Sequence, residues 1–429
     1  MQPAQTLSTP WPTGQKWAFR FAILFFILFI FFNPNGAVPF LEIFYNYYIQ
    51  PMHGLVVWAG THIFHLPEPI TTFTNGSGDT TYDYLVLLFC VTVALVGATV
   101  WSAVNRQACN YDKLYYWLNV ILRFYLGITM VSYGAVKVIK LQFPTPGPAR
   151  LLQTYGSSSP MGLAWTFMGY SKGYNYFTGF AELSCGLLLL FRKTALLGAV
   201  IALVVSANIM AINYCFDVPV KILSTMMVVI CLYLLSKDFA RFINFFFLNR
   251  VAQPANLSPK RFTKRWMNIT LISLKYLLIA YVTASTVENC IQGFKLYGDD
   301  APKPPLSGLY NVETFVTDGD TLAPVLTEAI RWRRLNISAF GNAQIYLMND
   351  SVETYKLLTD TTVKSLGFYE QDQNQRQVLY YTAVKPGLLL LKGKLYNNNI
   401  EVTMRKIESK DFLLMNRGFH WINEYPFNR

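Results

Sequence analysis

Arg123, Lys137, Glu182, Asn208, Asn213, Asp217 and Lys221 lie inside or at the ends of long apolar stretches. Ionisable side chains are costly there and point first to function. A carboxylate such as Glu182 can hold or release a proton, and an ammonium such as Lys137 can neutralise it or meet an anionic ligand. The carboxamides of Asn208 and Asn213 can orient a polar headgroup. Arg123 falls about two turns into its stretch, with Lys137 and Lys140 near the far end. Glu182 is close to the middle of the next stretch, and Asp217 and Lys221 open a later one. Two readings stay open. These groups converge on a ligand or proton-linked site centred on Glu182, or they form buried ion pairs such as Lys137–Glu182 and solvated helix ends.

The connection from Gln142 to Gly173 begins Phe143-Pro-Thr-Pro-Gly-Pro, which cannot be regular helix because prolines lack a donor and restrict their predecessors. It frames a cavity, with Arg150, Tyr155 and Ser157–Ser159 at its mouth, or serves as a passive lid. His62 and His65 share one helical face, and His53 could join them as a third metal ligand. No carboxylate or cysteine at ligand spacing completes that set, and histidines satisfied by water or headgroups need fewer assumptions. Thr80-Thr-Tyr-Asp83 fits a capping box; the preceding Gly76-Ser-Gly could instead bind an anion at the helix start. Cys90, Cys185 and Cys231 read as buried apolar residues, while Cys215 and Cys290 could pair. Nucleotide-binding loops, nucleophile elbows and metalloprotease motifs are absent from the sequence.

The elements that must position these residues follow from composition. Of 429 residues, 53% are hydrophobic and only 14% are charged, against about 25% charged in an average soluble domain. Disorder and a coiled coil are excluded. Seven stretches approach the roughly 20 helical residues needed to cross a hydrocarbon core: Trp17–Phe32, Tyr84–Val104, Tyr116–Leu141, Tyr174–Phe191, Thr194–Tyr214, Val220–Leu235 and Met267–Asn289. With the N-terminus inside, Lys16, Arg20, Arg106, Lys113, Arg192, Lys193, Lys237, Arg241, Arg250, Lys260, Arg261, Lys264 and Arg265 collect on the inner face. The loop from Asn33 to Asp83 has neither Lys nor Arg. The net charge of +12 is therefore largely topological and indicates no nucleic-acid partner. Ala240–Leu248 is too short to span and fits an interfacial segment touching lipid phosphates. Seven spans would place residues after about 290 outside.

A Gly- and Pro-rich linker follows Tyr297, and then the hydrophobic period changes to two. Arg334–Ala339, Asn342–Leu347, Gln377–Val384, Leu388–Leu395 and Ile400–Arg405 predict strands. Turns are expected at Asp318-Gly-Asp, Gly341-Asn, Pro386-Gly and Asn397-Asn-Asn. A small antiparallel β barrel or sandwich results. The aromatic ending, with Phe419, Trp421, Tyr425 and Phe427, predicts a last strand closing that barrel, or else a segment docked on the helices.

Leu122-Arg-Phe-Tyr-Leu-Gly followed by Tyr133-Gly-Ala-Val-Lys137 resembles the first helix of DoxX-like membrane proteins. The motifs Gly76-Ser-Gly-Asp-Thr-Thr-Tyr-Asp-Tyr, Tyr155-Gly-Ser-Ser-Ser-Pro-Met-Gly and Asp217-Val-Pro-Val-Lys221, with the ending Arg417–Arg429, resemble long members of that family that carry a C-terminal extracytoplasmic domain. The resemblance implies a four-helix core over residues 116–236. It is preceded by a two-span region with an interfacial loop (1–115), and followed by an interfacial segment and seventh span (237–295) and a periplasmic β domain (296–429). It also implies a bacterial inner membrane, in which the Lys and Arg distribution puts the N-terminus on the cytoplasmic side. The expected function is an outward-facing polar site for a small amphipathic ligand, a quinone or lipid, with redox linkage open. The alternative is a non-catalytic subunit that anchors the β domain and docks envelope proteins. Membrane lipids are partners in both.

Overall fold

A computed structural model describes residues 10–38, 41–67, 69–72, 76–251, 262–370, 376–395 and 398–428. Lys260, Arg261 and the Asn397 turn lie outside the described residues. The chain forms two compact units: Met1–Phe143 with Ser159–Phe294, and Pro144–Ser158 with Lys295–Arg429. The helices are α1 (Thr13–Phe32), α2 (Leu41–His62), α3 (Thr81–Val104), α4 (Asp112–Val138), α5 (Pro148–Leu152), α6 (Pro160–Tyr170), α7 (Lys172–Leu190), α8 (Ala195–Cys215), α9 (Lys221–Ser236), α10 (Phe239–Phe242) and α11 (Arg265–Tyr297).

All seven apolar stretches are helical. Among the described residues, α1, α3, α4, α8 and α11 are long and apolar enough to cross a membrane, and α9 with Phe239–Phe247 adds a sixth candidate that bends by 75°. α7 is not among them, because Lys172, Asn175, Thr178 and Glu182 raise its polarity. α2 falls where the sequence suggests only a loop: Pro51 sits inside it and masks the helical signal. Met52 and Val56 of α2 pack with Tyr82, Val86 and Cys90 of α3. Thr80 and Asp83 form the expected capping box at the start of α3, Asp83 accepting from the Thr80 amide at 2.9 Å.

Two ionisable residues stitch the helical unit together. Arg20, expected only as an inner-face charge, is buried. Its guanidinium donates to the Tyr111 hydroxyl at 2.6 and 2.9 Å, to Ser102 Oγ at 2.6 Å and to the Asn105 carbonyl at 2.8 Å. It thereby ties α1 to the end of α3 and the start of α4. The Asp79 carboxylate accepts from the backbone amides of Lys221 at 2.6 Å and Ile222 at 2.9 Å. It satisfies two of the amides that the start of any helix leaves open, where Val220 provides no capping side chain.

The second unit contains β1 (Gly308–Thr317), β2 (Asp320–Thr321), β3 (Trp332–Ile337), β4 (Asn342–Leu347), β5 (Val352–Asp360), β6 (Ser365–Tyr369), β7 (Arg376–Lys385), β8 (Leu388–Leu395) and β9 (Asn398–Ile407). β1 and β3 to β9 pair antiparallel in order and β1 returns to β9, closing an eight-stranded barrel; β2 is a short turn-back on β1. The barrel, not the sandwich, is therefore the architecture. Eight strands leave an interior just wide enough for side chains, and Trp332, Phe315 and Phe368 fill it, with ring centres 5.9 and 6.2 Å apart about Trp332. Ala343, Ile345 and Leu347 of β4 and Ile400, Val402 and Met404 of β9 point inward, as their period of two requires. Asp318, Gly319, Gly341 and Gly387 take positive φ at the expected turns.

The aromatic ending does not supply a closing strand. After β9 the chain makes a short helix, α12 (Leu413–Asn416), then runs without regular structure, with Phe419, Trp421, Ile422 and Tyr425 exposed. β9 already satisfies the free edge of β1, so no edge remains for a further strand. Arg417 turns back on His420 and on Asn423, 2.6 Å away, instead of bonding across the barrel. Cys215 and Cys290 are both free thiols, Cys215 exposed and Cys290 buried.

Candidate functional site

α4 and α7 run antiparallel in close contact. The contact is built on glycines seven residues apart on each helix: Gly127 against Gly186, and Gly134 against Gly179. A Cβ on Gly134 would lie 2.6 Å from Leu183 N and 2.7 Å from Gly179 O. Only glycine lets the two backbones come so near. One turn beyond Gly134 and Gly179 the same faces present Lys137 and Glu182. Both are buried, at 5% and 1% exposure, and the ammonium donates to Glu182 Oε1. Glu182 Oε2 is also buried and has no partner among the described residues. Tyr133, one helical turn before Lys137, lies within reach of the Glu182 charge.

The other expected members do not join them. Asn208 is exposed on α8, because it lies about 200° round the helix from Ser206, the buried polar residue of that stretch. Asn213 is buried, but its amide donates to the Val220 carbonyl at 3.2 Å and so closes the α8–α9 turn. Asp217 sits in that turn at φ +51° and pairs with Lys221 at 2.8 Å near the surface. Arg150 and Tyr155 belong to the second unit: Arg150 donates to Gln153, and Tyr155 is exposed. In that unit Thr145 donates to Asp299 from its amide at 3.1 Å and its hydroxyl at 2.5 Å, so the proline-rich connection is tied to the linker ahead of the barrel. Arg123 is separated from Lys137 by 14 residues of α4, about 21 Å at 1.5 Å per residue. The convergence of four helices on one polar site therefore reduces to two, α4 and α7.

The histidines are also dispersed in role. His53 meets Tyr82 edge-on at 5.1 Å, and His62 stacks on Trp58 at 5.5 Å. His65 occupies a turn at φ +51°. Among the described residues no three His, Cys, Asp or Glu side chains are grouped to hold a metal ion, this trio included.

YwoB, an uncharacterized protein of Bacillus subtilis, is 41% identical to this chain over 124 residues, which cover 79% of YwoB and 29% of the chain. The chain belongs to the YwoB family. The shared region is far shorter than the chain, so most of these 429 residues lie beyond what YwoB accounts for. No family model matches the chain, and no solved structure matches it. Membership in the YwoB family carries no activity with it.

Sequence reasoning missed Asp79 and the buried role of Arg20. The partners of Asp79 are backbone amides 142 and 143 residues away, which no local motif reveals. For Arg20 a signal existed: an arginine two turns inside an apolar helix needs several acceptors.

Proposed function

We propose that the protein is a DoxX-like membrane protein of seven spans, whose α4–α7 crossing forms a polar site for a small amphipathic ligand, a quinone or lipid. The site opens towards the outer face of a bacterial inner membrane, and the N-terminus lies in the cytoplasm. The barrel belongs outside. α7 serves as a span despite its polarity because Asn175, Gly179, Glu182 and Gly186 are buried, while Tyr176, Phe177, Phe180 and Leu187 face outward as lipid requires. The single observation that carries the ligand reading is Glu182 Oε2. A buried carboxylate oxygen without a partner costs free energy and calls for a donor. A quinol hydroxyl or a lipid headgroup hydroxyl is such a donor.

The test is purification of the full chain in a mild detergent, with mass spectrometry of every bound small molecule. Wild type is expected to retain a quinone or lipid that Glu182→Gln releases while the protein stays folded. Equal retention by both proteins refutes the assignment to Glu182. One observation favours the alternative of a non-catalytic subunit that docks envelope proteins: the exposed Phe419, Trp421, Ile422 and Tyr425 at the chain's end. A stoichiometric protein partner with no small molecule would support that reading.

A further inference from the structure

At the end of the helical unit where α4 begins lies a half-open cavity of about 770 Å³, within the size range of ligand sites. It is walled by α4, the α7–α8 junction and the α9–α10 junction. Its charged lining is Arg123, Arg192, Lys237 and Arg241 against Asp112 and Asp238. Asp238 is already taken, accepting from Arg241 at 2.6 Å. Arg123, Arg192 and Lys237 then remain against Asp112, and Lys275 of α11 adds to the positive side, being close enough to feel the charges of both Arg123 and Arg192.

Arg123, Arg192 and Lys275 are held by aromatic rings. The Arg192 guanidinium donates to the Tyr116 hydroxyl and lies 5.5 Å over that ring. Lys275 Nζ is 5.0 Å from the centre of Phe191 and 6.0 Å from that of Phe124. Arg123 lies 5.7 Å over Phe124, and its buried Nε has no hydrogen-bond partner among the described residues. Rings attract cations without cancelling their charge. Three cations from three elements thus share a partly dry region, and Arg123 and Arg192 are close enough to act on one another's charge. The buried Arg123 Nε still calls for an acceptor, which an anion supplies. Guanidinium forks fit phosphate oxygens, often two at a time. Beside them the wall is apolar, from Leu189, Ala199 and Leu234, which suits the first carbons of an acyl chain.

We propose that this cavity binds the phosphate group of an anionic lipid, with Arg123 and Arg192 as its principal ligands. The site is distinct from Lys137–Glu182 and does not depend on what that pair does.

The test uses full-length protein in a mild detergent, with phosphatidic acid, phosphatidylcholine and inorganic phosphate as probes. Native mass spectrometry and thermal melting are the readouts. Wild type is expected to retain phosphatidic acid about tenfold over phosphatidylcholine and to melt higher with it. R123Q and R192Q should each lose about tenfold of that preference. R106Q, which removes an exposed cation outside the cavity lining, should stay within about twofold of wild type. Because like charges are relieved, R123Q without lipid should melt no lower than wild type, which separates lost binding from lost folding. If inorganic phosphate stabilises the protein as well as phosphatidic acid does, the lipid assignment is overturned in favour of a soluble phosphate. Equal retention of the two lipids by wild type, or unchanged preference in both R123Q and R192Q, overturns the site itself.

Discussion

Replacing Gly134 by alanine puts the α4–α7 crossing under direct strain. The added methyl would lie 2.6 Å from Leu183 N, 2.7 Å from Gly179 O and 3.1 Å from Glu182 Cβ. The two closest atoms are backbone, so no rotamer change relieves them and the helices must part. Reaching the 3.4 Å of ordinary contact requires about 0.8 Å of separation. A gap of roughly 0.5–1 Å forfeits about a quarter to a half of each dispersion contact it opens, and overpacking a tight core typically costs about 1–3 kcal/mol. Alanine's advantage over glycine in a helix, about 1 kcal/mol, offsets only part of this. Because both of the closest clashes are with backbone, the cost falls at the upper end of that range, and the expected net loss is about 2 kcal/mol, with Lys137 drawn away from Glu182. Gly54→Ala is the control. Gly54 lies inside α2 with nothing within 4 Å of where a Cβ would stand, so alanine there should be neutral or up to about 1 kcal/mol stabilising. Unfolding midpoints of detergent-solubilised protein, followed by circular dichroism, measure both. A Gly134→Ala protein as stable as wild type would show that backbone contact does not set this crossing, and the burial of the ion pair would need another cause.

The ion pair itself separates charge from shape. Lys137→Met leaves Glu182 buried without its partner, at an expected cost of about 3–5 kcal/mol, and Lys137→Met combined with Glu182→Leu should recover most of that. Unfolding midpoints of both proteins decide: a double variant as weak as the single would mean that the residues matter for their shape and not for their charges. Asp79→Ala removes the acceptor for two amides at the start of α9 and should cost about 1–2 kcal/mol, as lost helix caps do. Hydrogen exchange at Lys221 and Ile222 should accelerate. Exchange at the wild-type rate would show that another group takes over the cap.

Much of the architecture was legible because length and period are local properties. The apolar stretches announced seven helices, and β4 and β9 showed their alternation openly. β1 did not, since a bulge between Val312 and Thr314 resets its inward positions midway. β6 shows no alternation because Ser365 to Phe368 are buried in succession. Among site residues, Lys137 and Glu182 could be paired from sequence, as each needs an opposite charge at similar depth. Asn208 misled because depth in a span says nothing about which face a residue occupies. The barrel is closed by β1 and β9, and not by the aromatic ending. That closure pairs residues from opposite ends of the domain, from Thr317↔Ile400 to Leu309↔Ile407, which no local pattern encodes.

The two ends of α4 handle buried cations in opposite ways, and the difference has chemical consequences. At the C-terminal end Lys137 has a carboxylate against it, so the charge is cancelled inside the protein and one oxygen, Glu182 Oε2, is left to accept a hydrogen bond. That end therefore favours a neutral donor. At the N-terminal end Arg123, Arg192 and Lys275 rest on Phe124, Tyr116 and Phe191. Rings leave the positive charge in place and the buried Arg123 Nε has no hydrogen-bond partner among the described residues, so an anion is the ligand proposed there. A single helix with tight glycine packing between the two positions keeps them about 21 Å apart, and a substitution at one should leave the proposed ligand binding at the other unchanged.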